Sequence, residues 1–221
     1  MSLLGKAAVL IWNDVIESGQ TSFYEWHDKE HIPERLGLPG FLRGRRYRGK
    51  GTAEWLTVYE ASDLSVLTSE AYVERLNNPT PATSQNLVSF RNTARSICAV
   101  EVSIGESTGG HALTIDLPGI GAQAGIIEDT MRAALTLTGV LSVHLLRADE
   151  AASRLDTRES RERTYRVPPR ILFFECSTPT AANAALDAIA AAYGADAESI
   201  RATAGLFVLE ISRLHTTRRI S

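Results

Sequence analysis

Residues 25–47 read EWHDKEHIPERLGLPGFLRGRRY. A polar segment with two histidines one helical turn apart passes through Pro33 and Gly40 into an arginine-rich run with the two-residue period of a strand. The second part of this stretch returns later in the chain. LPGFLRGRRY at 38–47 aligns with LTGVLSVHLL at 137–146, placing Leu38 on Leu137, Gly40 on Gly139 and Leu42 on Leu141. VYEAS at 58–62 aligns with FFECS at 173–177, and AVEVS at 99–103 with VLEIS at 208–212. Three matches in one order, at offsets that differ only by loop length, indicate an internal repeat.

Apolar periodicity supports the same reading. In the first half, strands are predicted over 6–12, 41–48, 54–61 and 95–104, with helices over 22–31 and 64–76. Ser22 and Glu25 have the spacing of a capping box at the start of the first helix. The second half repeats the order with strands over 111–117, 140–147, 170–176 and 205–214 and helices over 123–137 and 180–193. The pattern is βαββαβ twice, an α+β chain of two tandem ferredoxin-like units, 1–107 and 108–221. AAVLIW, ILFFEC and GLFVLEI barely alternate, so both sheet faces need cover. Packing the two sheets face to face supplies it, giving a barrel-like pseudo-dimer within one chain. A homodimer of such chains is compatible with this arrangement.

The chain has 221 residues, 44% hydrophobic and 22% charged, with a net charge of −3. That balance exerts no general pull on nucleic acid or anionic membrane. No run of 18 apolar residues is present, which argues against a spanning helix. The opening MSLLGKAAVLIWND reads as a strand and not as a signal peptide. Cys98 and Cys176 both lie in apolar strand-like runs, where free buried thiols are the rule. A cytoplasmic protein without disulfides is expected. The charged segment 149–170 reads as a long solvated connection, with a lid as the alternative.

The first helix carries few apolar residues, so the stripe through His27, Glu30, His31 and Glu34 must meet polar partners or a polar cavity. Pro33 should stop or kink the helix near His31. The following strand places Phe41, Arg43, Arg45 and Tyr47 on one face and Leu42, Gly44, Arg46 and Arg48 on the other. These arginines either hold an anionic ligand or pair with Glu30, Glu34 or Glu54. With the Gly40–Gly139 match as anchor, His27 falls on Ile126, His31 on Thr130 and Arg35 on Ala134. The polar site therefore occurs once per chain.

His27-Asp28-Lys29-Glu30-His31 also fits H-x-x-E-H, the inverted zincin pattern. A zinc hydrolase would need a third ligand, for which Glu54, Glu60, Glu101, Glu106 and His111 are candidates. His144 matches Arg45 across the repeat and could reach the same space.

The segment also resembles EthD-like and stress-responsive members of the dimeric α+β barrel superfamily. In those proteins an aromatic is followed by Trp, His and Pro, then by Leu-Pro-Gly leading into the second strand. Here these are Phe23, Trp26, His31, Pro33 and Leu38-Pro39-Gly40. The resemblance implies a barrel of paired ferredoxin-like units whose usual partner is a second copy, here carried internally. It fits binding of a small, partly apolar carbonyl or phenolic metabolite, with its conversion as the further expectation, without metal or other cofactor. On this reading His31 is the first candidate base and His27 the second, because imidazole titrates near neutrality. Arg45 would hold developing negative charge, with Trp26, Tyr47 and Arg43 lining the substrate site. The alternative from another class is a non-catalytic binding or assembly protein.

Overall fold

The computed structural model describes residues 2–117, 124–161 and 165–215. The first half forms strands β1 (Ala7–Val15), β2 (Phe41–Lys50), β3 (Trp55–Ala61) and β4 (Phe90–Gly105). The second forms β5 (His111–Asp116), β6 (Val140–Ala148), β7 (Arg170–Cys176) and β8 (Ala204–Leu214). Each half has the ferredoxin-like strand order, β4-β1-β3-β2 and β8-β5-β7-β6. Antiparallel pairing of β2 with β8 and of β4 with β6 joins the two sheets at both edges. The expected face-to-face packing is thus a closed eight-stranded barrel, in which no strand edge is left to template further pairing.

The repeat has a backbone cause at its glycines. Gly40 and Gly139 both sit at φ +85°, immediately before β2 and β6. A Cβ on Gly40 would lie 2.4 Å from a Val66 methyl, and one on Gly139 would lie 2.9 Å from Ala181 Cβ. Positive φ and close approach together explain why the two turns kept glycine.

The helices cover the barrel from outside. In the first half these are α1 (Gln20–Trp26), α2 (Ile32–Leu36), α3 (Glu70–Asn77) and α4 (Pro81–Leu87). In the second they are α5 (Ala124–Leu135), α6 (Glu150–Ser153), α7 (Arg158–Arg161), α8 (Pro179–Tyr193) and α9 (Ala197–Ala202). Several local expectations need correction. The first helix begins at Gln20, so Ser22 lies inside it and makes no cap. The predicted 64–76 helix breaks at Ser69, whose extended ψ and side chain cap α3 by accepting from the Tyr72 amide. The break shifts the helical face, so Tyr72 is buried and Ala71 is exposed. The 149–170 segment is not a solvated connection, because Ala152, Ser153, Thr157 and Glu159 are all buried.

Inside the barrel, Leu10, Trp12, Leu56, Val58, Phe173 and Phe207 form an apolar cluster. Beside it lies a charge network on matched repeat positions. Glu60 and Glu175, aligned by the VYEAS/FFECS match, both reach Arg45, at 2.9 and 3.0 Å. Arg43 binds Glu60 through Nε at 2.7 Å and donates to the Ser2 carbonyl at 2.6 Å. Two arginines thus meet two glutamates, so the buried charge is balanced. The arginines do pair with carboxylates, but of these only Arg48 takes an expected partner, Glu54.

His144 also points inward, with Nε2 2.7 Å from Ser2 Oγ and Nδ1 2.9 Å from Ser103 Oγ. Burial, with Arg45 and Arg43 nearby, brings its pKa down to about 3. The folded state therefore keeps His144 neutral where the unfolded chain takes up a proton. The unfolded chain binds more protons below pH ~6.5. Stability should then fall, by up to about 1.4 kcal/mol per pH unit for this histidine, as pH drops from ~6.5 towards 3. Denaturant titrations at several pH values should show that slope, and His144→Gln should remove one proton's worth of it. Arg45→Met leaves Glu60 with Arg43 but takes the cation from buried Glu175, and should cost about 3–5 kcal/mol in the same experiment at pH 7.

Candidate functional site

Between α1 and α2 the helix does not stop at Pro33. It widens into a π turn over His27–His31, in which the Ile32 amide donates to the His27 carbonyl five residues back. Helix then resumes through Leu36. An inserted π turn tolerates the missing proline N–H and often marks a functional segment. Here it places His27 and His31 on the barrel side of the helix, both buried, with ring centroids 5.6 Å apart.

Aromatic packing holds the two rings. His27 stacks on Phe23 at 5.0 Å, and His31 lies 4.3 Å from Trp26. Trp26 is fixed in turn by its indole N–H donating to Thr83 Oγ1 at 3.1 Å. Arg46 Nη1 sits 3.2 Å from His27 Nδ1. The same guanidinium pairs with Asp28, and its Nε donates to Glu210 at 2.8 Å. A guanidinium can only donate, so His27 Nδ1 is the acceptor and Nε2 carries the ring proton. Burial, reinforced by Arg46 and Arg35, holds the His27 pKa well below its ordinary value. His27 is accordingly a neutral hydrogen-bond donor.

The histidines line a small cavity of about 30 Å³, together with Asn13, Thr57, Tyr59, Arg35, Arg95 and Glu159. That volume has room for about one or two waters. Tyr59 is buried and its hydroxyl has no hydrogen-bond partner among the described residues. Arg35 Nη2 donates to Glu159 Oε1 at 2.6 Å, an ion pair buried on both sides. Glu159 belongs to α7, so the connection between β6 and β7 crosses to the first half and lines its cavity.

The sequence-predicted site residues fall into two places. His27, His31 and Trp26 belong to the outer, helix-covered layer. Arg45, Tyr47 and Arg43 face the barrel interior, on the opposite side of the sheet, with Tyr47 in the inner apolar cluster. One pocket shared by His31, Arg45 and Tyr47 is therefore not formed. A register shift between Phe41 and Arg43 also takes Phe41 to the outer layer, against Tyr59 and Tyr72. His144 reaches the same interior as Arg45, where serines hold it on both ring nitrogens.

Tyr59, Arg35, Arg95 and Glu159 were not among the sequence candidates. Arg35 stood beside the motif, four residues after His31 and so on the same helical face, and that spacing was the one available signal. Glu159 gave none, since its partner is 124 residues away.

Among the described residues the zinc arrangement lacks a third ligand. Among the described residues no cluster of three or more His, Cys, Asp or Glu side chains is placed to hold a metal. Glu60 is engaged by arginines inside the barrel, Glu54 by Arg48, and Glu101 by Arg147 and Arg170. The Arg46 guanidinium against His27 Nδ1 further opposes a cation at that nitrogen.

No family model and no curated protein matches the sequence. Solved structures do match its fold over nearly full length. An anthrone oxidase-like protein has a TM-score of 0.63 at 11% identity, covering 99% of this chain and 97% of its own. A candidate monooxygenase of Fusobacterium nucleatum subsp. nucleatum has a TM-score of 0.55 at 12% identity, covering 97% and 96%. A variant of chlorite dismutase from Candidatus Nitrospira defluvii has a TM-score of 0.52 at 12% identity, covering 93% and 91%. These likenesses establish the fold alone, an α+β barrel of two ferredoxin-like units carried here by one chain. They assign no chemistry to it.

A buried hydroxyl with no protein partner carries a desolvation cost of about 1–3 kcal/mol. Tyr59→Phe is expected to raise Tm, by about 2–4 °C for each kcal/mol recovered in a chain of this size. Calorimetry checks this, and a lower Tm would show that the hydroxyl is already satisfied within the protein.

Proposed function

We propose that the cavity under the π turn binds a small, partly apolar carbonyl or phenolic compound, and that His31 serves as the base towards it, without metal. The observation that carries this reading is the convergence of His27, His31 and the unpartnered Tyr59 hydroxyl on one small cavity. His27 Nε2–H and Tyr59 O–H can each donate to a carbonyl or phenolate oxygen, while Trp26 and Phe23 provide apolar wall. The Phe-Trp-His-Pro order of the EthD-like resemblance supports the same residues. So does the monooxygenase chemistry named for structures of this fold, as analogy. Arg45 and Arg43 act on this reading through the stability of the barrel and not on the ligand. A homodimer is compatible with the proposal and not required by it.

A ligand of even ten heavy atoms exceeds a cavity of about 30 Å³, so its entry requires a movement of the wall. One wall is α7, tied to the first half by the Arg35–Glu159 pair and by the Arg158 amide donating to Asn77 Oδ1. Glu159→Gln keeps the shape and weakens the pair, and should raise the association rate for a binding phenol several-fold while costing some stability. Stopped-flow quenching of the tryptophan fluorescence measures the rate directly.

The size of the cavity also favours a second reading, a non-catalytic protein in which the histidine cluster is structural. Binding of a panel of phenols and cyclic ketones, followed by native mass spectrometry, separates the two. The binding reading expects at least one retained adduct that His31→Ala, His27→Asn or Tyr59→Phe weakens about tenfold or more. Adducts insensitive to all three substitutions, in variants that remain folded, would remove the proposal.

A further inference from the structure

The outer face of the barrel is covered differently in the two halves. After β6 the chain takes residues 149–169 to reach β7, and α6 lies across β4. There the Ile97 amide donates to Ser153 Oγ at 2.8 Å, the Asp149 amide donates to the Ile97 carbonyl at 2.8 Å, and Ala152 joins the apolar cluster around Ile97. The equivalent connection, from β2 to β3, has only residues 51–54. By the AVEVS/VLEIS alignment, Leu206 and Val208 of β8 are the counterparts of Ile97 and Ala99. Nothing in the short connection can cover them.

An open groove results. It measures about 590 Å³ and is lined by Leu206, Val208 and Ala182, with Arg48, Lys50 and His111 among the polar residues. Val208 is 51% exposed on a strand hydrogen-bonded on both sides, to β2 and to β5. The volume lies within the range of small-molecule sites, roughly 300–1,000 Å³. Because both edges of β8 are already paired, an occupant cannot add as a strand and must seat on side chains. The charge at the groove is one-sided. Both oxygens of Glu210 are taken, by Tyr24 and Arg46, and Glu54 is taken by Arg48. Lys50 and His111 have no ion-pair partner among the described residues.

We propose that this groove is a second binding site, independent of the histidine cavity, for a small amphipathic acid. The apolar body lies on Leu206, Val208 and Ala182, where α6 covers the matching place in the other half. The carboxylate or sulfonate lies at the Lys50 and His111 side. The exposed charge contributes orientation more than affinity, and the apolar floor carries most of the binding.

The test uses the full chain with sodium decanoate below its micelle concentration, read by calorimetry and by displacement of anilinonaphthalene sulfonate. Wild-type protein should bind one decanoate per chain. Val208→Glu, which introduces a charge at an exposed position outside the core, should weaken it at least tenfold. Lys50→Glu should weaken decanoate several-fold and leave decanol unchanged. His31→Ala should change neither, which separates this site from the cavity under the π turn. Decanoate binding that survives both Val208→Glu and Lys50→Glu would overturn the proposal. So would a concentration-dependent dimer that Val208→Glu abolishes, since the groove would then be an interface between copies. Absence of decanoate binding to the wild type would overturn it as well.

Discussion

Arg45 lies between Glu60 and Glu175, which are the same residue in the two repeats, and this buried contact ties the halves together from within. Any one of the three charges left alone in the barrel would cost several kcal/mol, so the network imposes an all-or-none condition on closure. Strand pairing at β2–β8 and β4–β6 closes the barrel wall, but pairing alone does not choose which strand faces lie inside. The glutamates and arginines choose, because their positions are tolerable only where they meet. Arg43 adds a hold on residues 2–4: it binds the Ser2 carbonyl, while the Leu4 amide donates to Glu60.

Once β2 has its inner face committed in this way, the chemistry outside follows. Arg46 must point outwards, and there it meets His27, Asp28 and Glu210. That contact sets the tautomer of His27, and burial, reinforced by Arg46, keeps it neutral. The π turn then carries His31 round to the sheet side beside Trp26 and towards Tyr59. One strand therefore serves two unrelated needs through its alternation, stability inside and a polar cavity outside. The repeats have diverged along the same division. His144 stands where Arg45 does and Ser142 where Arg43 does, so the second half contributes its glutamate to the inner network but no arginine.

Much of this was legible in the chain. The repeated Leu-x-Gly, the aligned glutamates and the unalternating strands lead to two ferredoxin-like units around a shared interior, because strand period, turn glycine and double-sided burial are local properties. The histidine motif was legible as a polar element needing partners, since its helix had too few apolar residues to pack alone. Element ends and breaks were less so. Ser69 cuts a helix that periodicity runs straight through, and the bulge after Phe41 changes which face that ring occupies. Each depends on a competition between local hydrogen bonds and tertiary packing that a residue pattern does not weigh.

By itself the sequence determined the unit, its duplication, the turn positions held by glycine and the single copy of the histidine motif. Only the tertiary structure decided that Arg45 and His31 serve different sides of the sheet, that Glu159 lines a cavity in the other half, and that Leu206 and Val208 of β8 line an open groove. Face assignment depends on the register at strand junctions, and the Arg35–Glu159 pair joins residues 124 positions apart. Such contacts arise when the whole barrel closes, and no local stretch of residues contains them.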